Sequence, residues 1–203
     1  MIKNVVFDLG GVVLDWNPQQ VRKEFTGNRD IPEFLFVSGF FQSRWTEFDR
    51  GMMTEEELIR EMAAASGFSA AECREFMEYV KCSLHDIPGT VELIKDLKAR
   101  GYKLFCLSNL SVEFYDFLKA REFFQYFDGR IISALEKLVK PDEAIYRLLE
   151  DRFGLTLAET LFVDDLEPNV AAARSIGLNA VNFSDREKGY REIDALLQSK
   201  GLC

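Results

Sequence analysis

An α/β fold, a doubly wound parallel sheet with an α-helical module inserted after its first strand, is predicted by three observations. Short unbroken apolar runs recur along the chain, amphipathic stretches separate them after Pro88-Gly89, and residues 16–84 are helical in pattern with no strand candidate as clear as the others. Continuous apolar runs describe strands buried on both faces. Strands separated by helices pair in parallel, with right-handed crossovers.

The first strand is Val5-Val6-Phe7, with Asp8 at its C-terminal end; Gly10-Gly11 then breaks the chain before Val12-Val13-Leu14. In the inserted module, Thr54 followed by Glu55-Glu56-Glu57 reads as an N-cap with an acidic first turn, and Leu58, Ile59, Met62 and Ala63 share the apolar face. Ser69 and Glu72 are spaced as a capping box for a helix over 69–80. Beyond the module, a helix over 90–99 ends at Gly101, and Lys103 to Leu107 is the second strand. The alternation continues with a helix over 112–120, a strand over 129–132, a helix over 143–153 and a strand over 160–163. A helix over 169–176, a strand over 180–183 and a terminal helix over 190–198 complete it.

Composition narrows the function classes. At 203 residues and 47% apolar content the chain can bury a core, and it has no low-complexity tract. A net charge of -9 argues against nucleic-acid binding, where Lys and Arg must neutralise phosphates. No apolar run approaches the roughly 18 residues of a membrane span, and the N-terminus enters a strand without a signal-peptide pattern. A cytoplasmic protein, monomer or weak homodimer, is expected. Cys73, Cys82, Cys106 and Cys203 form no C-x-x-C pair and His85 is the only histidine, so free thiols are expected rather than a zinc site.

Ligands of open parallel sheets bind beyond the carboxyl ends of the strands. Here those ends are polar: Asp8, Ser108-Asn109, Lys140-Pro141 and Asp164-Asp165. Around one crevice they would supply a carboxylate nucleophile, a hydroxyl, an ammonium and a carboxylate pair suited to a hard divalent cation. Oxygen ligands without sulfur or imidazole favour Mg²⁺.

The segments VVFDLGGVV (5–13), CLSN (106–109), VKPD (139–142) and FVDDLEPNVAAARSIG (162–177), in this order and spacing, resemble the haloacid dehalogenase-like hydrolase superfamily. The branch resembled is that of helical-cap phosphatases (subfamily IA, C1 cap), similar to alpha-D-glucose-1-phosphate phosphatase-like members. The resemblance implies a catalytic core of residues 1–15 and 85–203 and a cap of 16–84. It implies that Asp8 attacks phosphorus to form an aspartyl-phosphate on a small phosphorylated metabolite, a sugar phosphate among the candidates. Asp165 with Asp164, Asp8 and the Gly10 main chain would hold Mg²⁺, Ser108 and the Asn109 amide would bind phosphoryl oxygens, and Lys140 would neutralise them. Amides of Leu9 to Gly11 would also bind phosphate, and Asn169 would support the metal shell.

Other residues carry weaker expectations. Arg44, Trp45, Glu47 and Asp49-Arg50-Gly51 resemble the substrate-facing part of such caps, with Arg50 the candidate substrate ligand. Asp15 is expected to order the hinge and His85 to mark the other boundary. Phe34, Phe36, Phe40 and Phe41, and Phe114, Phe117, Phe123, Phe124 and Phe127, are expected to pack.

One departure from the family pattern concerns chemistry. Its phosphatases usually carry a second aspartate two residues after the nucleophile, and that position is Gly10. General acid-base help is worth roughly two to four powers of ten in rate, so good leaving groups such as anomeric sugar phosphates are expected to be preferred. Two alternatives follow: an L-2-haloacid dehalogenase that needs no metal, or a catalytically silent binding protein on the same fold.

Overall fold

The computed structural model describes residues 1–198, apart from the side chains of Phe41 and Gln42. Cys203, the last residues of the expected core and the packing expected of Phe41 therefore lie outside the described residues. Strands β1 (Asn4–Phe7), β2 (Lys103–Ser108), β3 (Gly129–Ile132), β4 (Thr160–Asp164) and β5 (Asn179–Asn182) form one parallel sheet in the order β3-β2-β1-β4-β5. The central strand comes first in sequence, so the chain winds outward from β1 in both directions. All four residues of β1 are buried.

Between β1 and the rest of the core run α1 (Pro18–Glu24), α2 (Asp30–Val37), α3 (Thr46–Asp49), α4 (Glu55–Ser66) and α5 (Ala70–Ser83). The expected Ser69–Glu72 capping box forms, and the expected N-cap Thr54 proves to be one as well: its hydroxyl accepts from the Glu57 amide while the Glu57 carboxylate accepts from the Thr54 amide, and Ser69 and Glu72 make the same exchange. Leu58, Ile59 and Met62 of α4 are buried, as are Cys73, Phe76, Met77 and Val80 of α5. Each such side chain contributes about 1.5–3 kcal/mol on burial. Immediately before α3, Phe41–Trp45 form a π-helical turn.

The helices after the module are α6 (Pro88–Ala99), α7 (Val112–Leu118), α8 (Ser133–Glu136), α9 (Glu143–Phe153), α10 (Glu167–Ser175) and α11 (Arg186–Gln198). Alternation along β1 divides the core: Val6 joins Ile145, Leu149, Val170 and Ala173 of α9 and α10 on one face. Val5 and Phe7 join Ile94 and Leu97 of α6, Ile193 of α11 and the Phe123, Phe124 and Phe127 cluster on the other. Helix α10 begins at Glu167 rather than at the expected 169 because Pro168, whose missing N–H costs nothing in a first turn, lies inside it.

The chain leaves and re-enters the core along paired segments. The Asp15 amide donates to His85 O (2.7 Å) and the Ile87 amide to Val13 O (2.8 Å). Asp15 also pairs with Arg186 at the start of α11, 2.5 Å away, which ties the outgoing segment to the core.

Candidate active site

Register brings the polar strand ends together. Phe7 of β1 lies opposite Cys106 of β2 and Val163 of β4, so Asp8 emerges level with Asp164 and one residue short of Ser108. The Asp8 amide extends the ladder by donating to Val163 O (2.9 Å). Asp8 Oδ1 in turn accepts from the Leu9 amide at 2.7 Å, which fixes the carboxylate against its own turn.

Lys140 is buried at the centre of this group. Its Nζ donates to Asp8 Oδ1 (2.9 Å), Asp164 Oδ2 (2.6 Å) and Leu107 O (3.1 Å), which engages all three of its protons. Burial disfavours the ammonium, but the Asp164 and Asp8 charges outweigh it and raise the Lys140 pKa. The lysine is held by Asn109, whose Oδ1 accepts from the Lys140 amide (2.8 Å) and whose Nδ2 donates to the Lys140 carbonyl (3.0 Å). Beyond the backbone role toward phosphate expected of Asn109, its side chain is a bracket for Lys140.

Asp164 and Asp165 differ although adjacent. Asp164 is fully buried and saturated, accepting from Lys140, the Leu166 amide (2.9 Å) and Asn169 Nδ2 (3.0 and 3.1 Å). Asn169 thus supports the site through Asp164, while its carbonyl accepts from the Tyr146 hydroxyl. Asp165 lines the crevice, and burial and the Asp164 charge push its carboxyl up to about 6. Oxygens of Asp8, Asp164 and Asp165 lie within 4.8 Å of one another. Burial, opposed by Lys140 and assisted by Asp164 and Asp165, pushes Asp8 up to about 7. An all-oxygen donor set with more negative charge than one lysine balances fits a hard divalent cation.

Gly11 serves this cluster differently from the expectation. Its amide is used internally, donating to Leu14 O at 2.8 Å, so it is not offered to a phosphate. What the position requires is the absence of a side chain, since the backbone is left-handed (φ +72°) and faces the Asp165 carboxylate.

Asp8, Gly10, Ser108, Lys140 and Asp165 share a crevice of about 450 Å³ with Trp16, Trp45 and Asp49. An adjoining recess of about 80 Å³ has Leu9, Leu14, Leu84, Leu110 and Phe114 in its walls, and Asp49 is its one ionisable group. Trp16 and Trp45 stack with ring centroids 6.2 Å apart, and Trp45 meets Phe114 edge-on at 5.9 Å. Arg50, the expected substrate ligand, pairs instead with Asp142 (3.3 Å) and lines neither cavity. Its neighbour Asp49 occupies the crevice wall. Burial, then the Asp8 charge, push the Asp49 carboxyl up to about 8, against Lys140 and the Ser111 amide. Asp49 is among the residues expected to face the substrate, although the sequence pattern singles out Arg50 as the ligand.

Fold and site together define a hydrolase of the α/β class with a strand-tip carboxylate cluster. The chain belongs to the haloacid dehalogenase-like hydrolase family, whose model matches residues 2–177. It is 28% identical over 187 residues to the sesquiterpene phosphatase astK of Aspergillus oryzae, covering 90% of each chain. A solved HAD-like family hydrolase from Porphyromonas gingivalis is 28% identical, superposes with a TM-score of 0.75 and covers 98% of each chain. The wild-type HAD family enzyme of Bacteroides thetaiotaomicron, solved with magnesium and inorganic phosphate, is 23% identical with a TM-score of 0.72, covering 90% of this chain and 94% of its own.

Proposed function

We propose that this protein is a Mg²⁺-dependent phosphatase of small phosphorylated metabolites, acting in the cytoplasm through an aspartyl-phosphate on Asp8. The observation that carries the reading is the Asp8 carboxylate at the tip of the central strand, 2.9 Å from the Lys140 ammonium and within 4.8 Å of the Asp164 and Asp165 oxygens. A phosphatase is also among its curated relatives. Among the described residues, 1–15 and 85–198 serve as the catalytic core, and residues 16–84 act as a cap that admits the leaving group and excludes bulk water.

Asp8 and Asp165 would hold the cation with the Gly10 carbonyl, and when bound it supplies the positive charge that lets a carboxylate approach an anionic phosphoryl group. Asp8 attacks phosphorus in line with the ester oxygen. Ser108 donates a hydrogen bond to a phosphoryl oxygen from the end of β2. Lys140, held charged between Asp8 and Asp164, orients the nucleophile and offsets the charge gathered at its oxygens. Asp164 and Asn169 keep Lys140 and the turn before α10 in place. Water then hydrolyses the aspartyl-phosphate and restores Asp8.

The test is hydrolysis of p-nitrophenyl phosphate, with sugar phosphates such as glucose 1-phosphate and glucose 6-phosphate beside it. Activity is expected with MgCl₂, is abolished by EDTA, and is lost in Asp8→Asn. Metal-independent halide release from 2-chloropropionate, with no phosphate release, would establish the dehalogenase reading instead.

A further inference from the structure

Two residues beyond Asp8 the chain has Gly10, so no side chain there can protonate an ester oxygen as it departs. An alkoxide is a poor leaving group, and the need for a proton does not vanish with the residue. Lys140 spends its three protons on Asp8, Asp164 and Leu107. Asp8 and Asp165 belong to the nucleophile and cation cluster. Ser108 and Asn109 do not titrate near neutral pH.

Asp49 remains, and its placement is distinctive. It is the one ionisable group in the apolar recess, where a leaving group would sit, and it also lines the crevice that contains Asp8. It comes from the module of residues 16–84, yet it is fastened to the core. The Ser133 hydroxyl donates to the Asp49 carbonyl (2.5 Å) and accepts from the Leu110 amide (2.8 Å). Arg50 is anchored to Asp142 and the Gly51 carbonyl to Lys137 Nζ. Gly51, at φ +69°, lies so close to Ala134 O that a Cβ would fall 2.5 Å from it. Three polar attachments and one close backbone approach thus fasten the segment carrying Asp49 to the core, on the wall of the crevice that contains the nucleophile. The facing charged groups are Asp8 and Lys140, and with burial as the main cause the carboxyl is held protonated at neutral pH.

We infer that Asp49 is the acid-base residue of the reaction, supplying from the helical module the proton that position 10 cannot. The inference rests on the phosphatase reading. As the Asp8 oxygen bonds to phosphorus, the bond from phosphorus to the ester oxygen breaks. That oxygen keeps the electron pair and takes the Asp49 proton, so a neutral alcohol leaves. In the second half, the Asp49 carboxylate takes a proton from the water that attacks phosphorus, the Asp8–phosphorus bond breaks, and inorganic phosphate leaves with Asp8 ionised and Asp49 protonated as at the start.

The experiment measures kcat/KM, which reports only steps through alcohol release, with Mg²⁺ across a series of aryl and alkyl phosphates. In the wild type the dependence on leaving-group pKa should be shallow. In Asp49→Asn it should be steep, with losses of about 10²–10⁴ for an alkyl phosphate such as glycerol 2-phosphate but under about tenfold for p-nitrophenyl phosphate, which needs no proton. Asp49→Glu should keep the shallow dependence at a lower rate, which a purely structural role would not produce. Equal losses across the series, or none, would overturn the inference while leaving the phosphatase reading intact. A wild type with no Mg²⁺-stimulated turnover of any member would overturn both.

Discussion

Gly11 lies directly against Asp165: a Cβ built on it would fall 2.4 Å from Asp165 Oδ2, on a backbone with φ +72°. Steric exclusion and backbone hand therefore both demand glycine. In Gly11→Ala the left-handed conformation costs about 1 kcal/mol, and the Asp165 carboxylate must move by several tenths of an ångström. The expected result is at least about a tenfold rise in the Mg²⁺ concentration for half-maximal activity, with a fall of only a few degrees in Tm. An unaltered Mg²⁺ requirement would show that Asp165 is not a ligand.

Lys140→Met should be far more damaging. The substitution removes the cation between Asp8 and Asp164 while keeping bulk, leaving buried charge uncompensated, a change worth about 3–5 kcal/mol. The loss should depend on pH. Asp8, already pushed up to about 7 with Lys140 present, loses the neighbour that lowers it and takes up a proton more readily. Urea unfolding should therefore show a larger deficit at pH 8 than at pH 6, and phosphatase activity should fall by at least about a hundredfold at both.

The acidic cluster also sets a pH dependence for the wild type. Asp8, Asp49 and Asp165 are raised from 3.8 to about 7, 8 and 6. A raised folded-state value means the native protein binds more protons than the unfolded chain, so this stabilisation is complete below about pH 4 and is lost as pH climbs through about 6 to 8. Carboxylates that are lowered, such as Glu57, Glu72 and Asp128, work in the opposite sense and at more acid pH. In EDTA, Tm should be several degrees higher at pH 6 than at pH 8, and saturating MgCl₂ should reduce the gap by replacing protons with a cation. A higher Tm at pH 8 in EDTA would contradict the arrangement.

What the sequence displayed and what it concealed follow the range of the interactions. Val5 to Phe7 and Leu161 to Val163 are continuous apolar runs, so strands with Asp8 and Asp164-Asp165 at their ends were readable from local pattern. The Thr54 and Ser69 helix starts were readable for the same reason. The division of labour between Asp164, saturated by Lys140 and Asn169, and Asp165, which faces the crevice, depends on which side of the strand end each takes. Asn109 grips a backbone 31 residues away, and no local pattern encodes that. The exchange of Arg50 for Asp49 on the crevice wall has the same origin. It is decided where Ser133, Ala134 and Lys137 receive the turn from Asp49 to Gly51, a docking that helical periodicity cannot announce.

Restoring an acid at position 10 gives a further test of how the proton reaches the leaving oxygen. The atoms nearest to a Cβ on Gly10 belong to Trp16, at 3.5 Å, an ordinary contact, and no positive φ restrains the position. Gly10 and Asp49 line the same crevice and the same recess, so an aspartate at either place can address one departing oxygen. In an Asp49→Asn background, Gly10→Asp should recover about ten- to a hundredfold in kcat/KM for glycerol 2-phosphate while changing p-nitrophenyl phosphate little. In the otherwise wild-type protein the same substitution should gain little, because one acid suffices and a second carboxyl beside Asp8 adds repulsion. Recovery confined to the double variant is non-additive in the sense expected of two groups performing one task. Equal effects in both backgrounds would mean that the residues act independently and that Asp49 does not carry the proton.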